Sequence, residues 1–298
     1  MKVSTIYHQG SSFHREDGYG IISDLIFFVL DGVSEPYGPQ KPQRLIGELS
    51  GGELVSRLTE NWIGWNKTDD LPLLAKKLNK YIKRCLDNAD FVPSPGKLPG
   101  ATFVITKINQ ETVEILQAGD CFALWETTDG NIQVTTNQVR AHDVKMNDLI
   151  LDIQRREAAE CFGVDLEKAT PDEHRTIRGA MWNRFCPILE EAREMDVNNP
   201  ENPQGYGLLN GQPELEKMWF YTTMPLKSVK TILLFSDGMV PWNLMKDKTD
   251  EKVAQIVLDI YRRGGLAKML LWARGIEEQV KGVNYIDNAE ATAIAIEF

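Results

Sequence analysis

Two apolar runs in this chain each end in Asp-Gly. Leu25, Ile26, Phe27, Phe28, Val29 and Leu30 lead into Asp31-Gly32, and Ile232, Leu233, Leu234, Phe235 and Ser236 lead into Asp237-Gly238. A run of this length, rich in β-branched and aromatic side chains, has the dimensions of one buried strand. Each run would deliver a carboxylate, and a glycine backbone free to bend, to the rim of a sheet. Two carboxylates at one rim suit a hard divalent cation, Mg2+ or Mn2+, which takes oxygen ligands and keeps water in the rest of its shell. Glu16-Asp17 stands just ahead of another strand-like segment, and Asp287-Asn288 ahead of the last one. Taken singly, each Asp-Gly also reads as a plain turn. The matching contexts are what bring a metal centre into view.

The elements that must position these acids follow from periodicity and punctuation. Residues 2–8 alternate weakly, as an edge strand would, and residues 18–23 and 25–30 form a hairpin. Residues 48–65 and 71–91 carry apolar side chains at helical spacing. Strands are expected at 102–108, 112–117, 121–126 and 132–135, separated by turn residues. From 141 to 195 the sequence becomes charged and helix-favouring, with helices at 148–161 and 171–194; Pro171, Asp172 and Glu173 suit a helix start. A loop rich in Asn, Pro and Gly spans 198–213. Strands return at 219–223 and 231–235, helices at 250–263 and 266–280, and a strand closes the chain at 291–298. Hairpin-joined strands, with helices arriving in pairs, predict an α+β fold with antiparallel sheets rather than a doubly wound parallel one. One domain spanning 1–298, with a helical and loop insertion at about 141–215, accounts for the order. Trp62, Trp65, Trp182 and Trp219 sit in regular patterns and read as packing residues.

Composition narrows the function. With 298 residues, 42% hydrophobic and 26% charged, the chain can build a substantial core. A net charge of −10 argues against binding to nucleic-acid phosphates. Acidity fits a metal-binding protein, and fits solubility equally well. Cys85, Cys121, Cys161 and Cys186 are scattered without zinc-type spacing and read as reduced thiols of a cytoplasmic protein. No stretch reads as a signal peptide, and no apolar run approaches a membrane span.

In order along the chain, Glu16-Asp17, Asp31-Gly32, Gly100-Ala101-Thr102, Gly119-Asp120, Ser236-Asp237-Gly238 and Asp287-Asn288 resemble the motif series of the metal-dependent type 2C protein phosphatases, as a divergent, prokaryotic-like member. The likeness spans nearly the whole chain. It implies a four-layer αββα sandwich: two antiparallel sheets flanked by paired helices, with two metal ions, or a third beside them, on the rim. By motif match Asp31 and Asp237 are the catalytic carboxylates. Asp31 would bridge the ions, the Gly32 carbonyl would bind one and Asp237 the other. Glu16, Asp17 and Asp287 would complete the set directly or through water, and Asp120 would lie near the ions. The resemblance further implies hydrolysis of phosphoserine and phosphothreonine in a phosphoprotein by water activated between the ions.

Several positions depart from the pattern. The family commonly carries a phosphate-gripping arginine four residues before the motif glutamate, where this chain has Ser12; Arg15 or Arg44 could substitute. Val33-Ser34-Glu35 stands where many members have a histidine general acid, which leaves His14 or no histidine at all for that role. The residue three before Thr292 is Ala289, so either Asp287 or Glu290 completes the metal site. The glycine-rich segment 205–211 could line the cleft as a mobile loop. Two other readings stay open: a pseudophosphatase that serves as a regulatory binding module, and a hydrolase of small phosphoesters.

Overall fold

Two antiparallel sheets stack face to face in the computed structural model, which describes residues 1–23, 25–37, 42–66, 70–92, 94–284 and 289–298. In chain order the strands are β1 (Lys2–His8), β2 (Gly18–Ile22), β3 (Ile26–Val33), β4 (Gly100–Ile108), β5 (Thr112–Ala118), β6 (Phe122–Thr127), β7 (Ile132–Val134), β8 (Phe220–Pro225), β9 (Val229–Phe235) and β10 (Ala291–Glu297). One sheet has the order β1-β10-β9-β6-β7 and the other β2-β3-β4-β5-β8. The helices are α1 (Gly51–Trp65), α2 (Leu71–Asn88), α3 (Arg140–Cys161), α4 (Pro171–Asp196), α5 (Trp242–Asp247), α6 (Asp250–Arg262) and α7 (Gly265–Asn284). The fold is α+β, as the element order predicts.

The core has three apolar layers, and side-chain alternation assigns each strand residue to one of them. Phe27 and Val29 of β3, with Val104 of β4 beside them, face the opposite sheet, where they meet Ile232, Leu234 and Ile294. Phe28 and Leu30 face the other way, onto Val55 and Ile63 of α1 and Leu74 and Leu78 of α2. Phe235 and Leu233 of β9 likewise pack on Val253 and Val257 of α6 and Met269 of α7. Strands covered on both faces need apolar side chains at every position, which is why these two runs are continuous rather than alternating. Helices α3 and α4 pack on each other through Met146, Ile153, Met181 and Phe185, forming a separate apolar cluster.

The boundaries shift in instructive ways. β3 does not stop at Leu30. Asp31, Gly32 and Val33 continue the ladder opposite Thr102, Ala101 and Gly100. Since side chains alternate, Asp31 shares the face of Phe27 and Val29 and points between the sheets at the open end of the sandwich. At the end of β9 the ladder does stop, and Asp237–Met239 forms a single 3-10 turn. Helix α3 begins at Arg140, earlier than its apolar pattern suggests, because Asn137 Oδ1 accepts from the backbone amides of Val139 and Arg140. Trp65 is a packing residue by its spacing, yet it lies 88% exposed at the end of α1. No described helix is long and apolar enough to cross a membrane.

Candidate metal centre

The crossing from β5 to β6 brings a third acid to the rim. Gly119 occupies a left-handed conformation (φ +83°), and a β-carbon there would lie 2.3 Å from the Thr102 side chain. Glycine therefore allows the chain to pass from one sheet to the other with Asp120 facing inward. Asp31, Asp120 and Asp237 each present a ligand atom, and these atoms lie within 4.8 Å of one another. Asp120 is buried, and among the described residues its Oδ1 has no hydrogen-bond partner.

Around this trio the backbone is tightly tied. Gly32 N donates to the Glu16 carbonyl at 3.1 Å, and Ser56 Oγ donates to the same oxygen at 2.5 Å. Asp17 is buried and accepts from Ser236 Oγ at 2.8 Å, which places it between the two strand ends. The Glu16 carboxylate accepts from the hydroxyls of Ser34 and Ser50. Ser50 is also the N-cap of α1, its Oγ accepting from Glu53 N at 3.1 Å, so the helix start and the acid loop share one side chain.

Glu290, one of the two candidates to complete the site, braces the acid loop. Its Oε2 accepts from the backbone amides of Glu16 at 2.7 Å and Asp17 at 2.6 Å, and its Oε1 accepts from Tyr7 Oη at 3.1 Å. Oε2 thus pins the acid loop, and Oε1 ties Glu290 to β1. Asp287, the other candidate to complete the site, lies outside the described residues.

Ser12 Oγ donates to the His14 carbonyl at 2.7 Å. Arg15 pairs with Glu60 at 3.5 Å, and its guanidinium lies over the Tyr7 and Tyr19 rings, so it braces β1, β2 and α1. Arg44 donates to the backbone carbonyls of Ala89 and Asp90 and covers the Phe91 ring. His14 Nδ1 meets Glu53 Oε2 at 3.3 Å. The 205–211 segment is packed into the protein: Leu208, Leu209 and Asn210 are buried, Leu209 N donates to the Ala101 carbonyl, and Asn198 Nδ2 donates to that of Leu208. Tyr206 is its contribution to the cleft wall.

One acid escaped the sequence reading. Asp143, in the first turn of α3, lines a cavity of about 610 Å³ together with Asp31 and Asp120, and a neighbouring one of about 400 Å³ together with Asp237. An aspartate in the first turn of a helix ordinarily complements the helix dipole, so its sequence context carried no sign of this placement. A further cavity, of about 500 Å³, joins Ser12, His14, Glu16, Asp17, Asp31, Gly32, Asp237 and Glu290.

So many carboxylates in one desolvated space cannot all be charged without a cation. Burial pushes Asp17 up to about 8, and burial with the Asp237 charge pushes Asp120 up to about 7. Asp31 is held well above the usual carboxylate range by desolvation and by its neighbours Asp17, Asp237 and Asp120. Asp143 is raised in the same way by desolvation and by Asp120 and Asp237. An all-oxygen donor set that repels itself, with one buried oxygen unpartnered, fits a hard divalent ion.

The metal-free protein should show this repulsion in its stability. From about pH 4, where free aspartates titrate, to about 8, the value for Asp17, the folded state binds more protons than the unfolded chain. The contribution of these groups is therefore complete below about pH 4 and is lost as the pH rises through that window. Melting temperatures in EDTA are expected to fall between about pH 5 and pH 8, and saturating Mn2+ should flatten the slope. A melt in EDTA that holds or rises over that interval would count against a self-repelling cluster.

The chain superimposes on the Mycobacterium tuberculosis serine/threonine phosphatase PstP/Ppp with a TM-score of 0.53, at 14% identity, covering 100% of this chain and 98% of that one. The catalytic domain of PstP in complex with two manganese ions gives 0.52 at 15% identity, covering 99% and 96%. Serine/threonine phosphatase Stp1 from Staphylococcus aureus gives 0.51 at 15% identity, covering 100% and 94%. No family model matches the sequence, and no curated protein does. The chain has the fold of the type 2C serine/threonine phosphatases.

Proposed function

We propose that this protein is a Mg2+- or Mn2+-dependent phosphatase acting on phosphoserine and phosphothreonine in proteins. The observation that carries the reading is the convergence of Asp31, Asp120 and Asp237 on one rim, in a fold shared with serine/threonine phosphatases, one of them solved with two manganese ions. Asp31, the Gly32 carbonyl and Asp237 would hold two ions, with Glu16, Asp17 and Asp287 completing the set directly or through water. Asp120 and Asp143 are the candidates for a third. When bound, the ions offset the carboxylate charge, acidify water and draw electron density from the phosphoryl oxygens.

What the chain itself contributes is preorganisation. Asp31 rides on a strand buried on both faces, and Asp237 follows another, so their separation is set by the packing of the two sheets. Glu290 and Ser56 hold the backbone of the Glu16–Asp17 turn, and Ser236 fixes the Asp17 carboxylate. We read the whole chain as one domain in which the 141–215 region roofs the rim. Retention of Asp31, Gly32 and Asp237 together favours catalysis over a binding module. The net charge of −10 favours a protein substrate over a nucleic acid, and the four cysteines, all thiols, fit a cytoplasmic setting.

The test is phosphate release from a phosphothreonine peptide and from p-nitrophenyl phosphate with Mn2+, Mg2+ or EDTA. Turnover is expected with either ion and none in EDTA, with the peptide preferred by kcat/KM. Folded protein that releases no phosphate with any divalent ion would leave the binding-module reading. Peptide turned over no better than the small ester would favour a small phosphoester as substrate.

A further inference from the structure

Phe13 stands 90% exposed in a loop whose other residues, from Gln9 to His14, are polar or glycine. A single exposed apolar side chain ordinarily needs no explanation. Here the surroundings supply one. Phe13 lines the 500 Å³ cavity together with Asp17, Asp31, Gly32 and Asp237, residues that would hold the ions. Tyr37, also exposed, lines the same cavity.

The loop is fastened through its polar groups and leaves the ring outside. Gln9 Nε2 donates to the carbonyls of Ser12 at 3.0 Å and Phe13 at 3.3 Å, and Ser12 N donates to the Gln9 carbonyl at 3.3 Å. The Phe13 ring meets the His14 imidazole in a T-shaped contact, with centroids 5.1 Å apart. His14 Nδ1 lies 3.3 Å from Glu53 in the first turn of α1, and Ser50 at that helix start donates to the Glu16 carboxylate. These contacts set Phe13 just ahead of the acid loop, on the same frame that holds Glu16. Tyr37 is fixed from the other direction, its carbonyl accepting from Cys186 Sγ of α4 at 3.0 Å.

We propose that Phe13, with Tyr37, forms an apolar contact for the residues that flank the phosphorylated side chain of a protein substrate, so that sites beside aliphatic or aromatic residues are preferred. The proposal rests on the phosphoprotein reading of the site and adds a sequence preference to it. Folding leaves the Phe13 ring in water, so the gain from burying it is available to a partner. A small phosphoester anchored at the ions is too short to cover the loop. A peptide anchored there has chain on either side of the phosphate to lay against both aromatic residues.

The test compares two phosphothreonine peptides that differ only in carrying leucine or glycine on both sides of the phosphothreonine, with free phosphothreonine as the small ester. Binding to the Mn2+-loaded protein and phosphate release are measured for the wild type, Phe13→Ser and Phe13→Leu. The wild type is expected to favour the leucine peptide. Phe13→Ser should lower that preference, and the ratio of kcat/KM for the leucine peptide to that for free phosphothreonine, by roughly 10-fold, through KM rather than kcat. Phe13→Leu should keep most of the preference. The side chain is exposed, so both variants should melt and bind Mn2+ as the wild type does. Equal affinity of the wild type for the two peptides, a preference that survives Phe13→Ser, or a loss that follows Mn2+ affinity would overturn the proposal. So would Phe13-dependent self-association that excludes the peptides. Peptide binding with the expected dependence, but no phosphate release from any substrate, would support the contact while defeating the phosphatase reading.

Discussion

Replacing Asp31 by asparagine is expected to lower Mn2+-dependent phosphate release on the order of 10³-fold or more, while making the metal-free protein more stable at pH 8. The two effects have one origin. Asp31 sits among Asp17, Asp120 and Asp237, which hold its carboxyl well above the ordinary range after desolvation has raised it. The site keeps this carboxylate although it is unfavourable in the absence of metal. Asparagine preserves the shape and the ladder pairing with Thr102 but cannot carry the negative charge a divalent ion requires. Relief of that repulsion should raise the melting temperature in EDTA by a few degrees. Asp237→Asn should act in the same direction on both readouts. Kinetics with Mn2+ and thermal melts in EDTA at pH 8 decide the matter. Activity retained within tenfold would remove Asp31 from the ligand set, and a lowered apo melting temperature would mean the acids stabilise the fold rather than strain it.

Gly32→Ala is expected to cost about 3 kcal/mol of stability, the upper end for overpacking, and to weaken Mn2+ binding as well. A β-carbon at this position would lie 2.5 Å from the Glu16 carbonyl oxygen and 2.7 Å from that of Gly52. Both are backbone atoms on different elements, the acid loop and the first turn of α1, so neither can turn aside as a side chain would. The Gly32 amide also donates to the Glu16 carbonyl, and pushing the two apart breaks that bond. The same displacement moves Glu16 and Asp17 away from Asp31. Chemical denaturation in EDTA measures the first effect, and a Mn2+ titration of the folded variant measures the second. A stable variant with native Mn2+ affinity would show that the close approach at Gly32 is dispensable, and would weaken the case for its carbonyl as a ligand.

Much of the frame is legible in the chain because burial leaves a strong local signature. Runs such as 26–30 and 231–235 have the length and the β-branched and aromatic residues of doubly covered strands, and the apolar spacing of α1, α2 and α6 marks the helices that cover them. Glycines at 32 and 119 mark places where backbone must pass close to other groups or turn left-handed. Illegible were the partners of polar groups. The pattern of α1 makes Trp65 a packing residue, but the protein ends its apolar cluster one turn earlier, at Ile63 and Trp62. Glu290 reads as a spare metal ligand, yet it accepts two backbone amides from a loop far away in the chain. Arg15 reads as a phosphate cation and is instead spent between two tyrosines and Glu60.

By itself, then, the sequence determines the two-sheet frame and the strand ends that carry Asp31 and Asp237, because hydrophobic burial acts through periodicity that any window of the chain displays. Only the tertiary structure decides which acids share a desolvated space. Asp120 arrives by a sheet crossing, and Asp143 by the docking of α3 over the rim. Their roles depend on distances of a few ångströms between residues remote in the chain, where desolvation and charge act, and no local pattern of residue types encodes those distances.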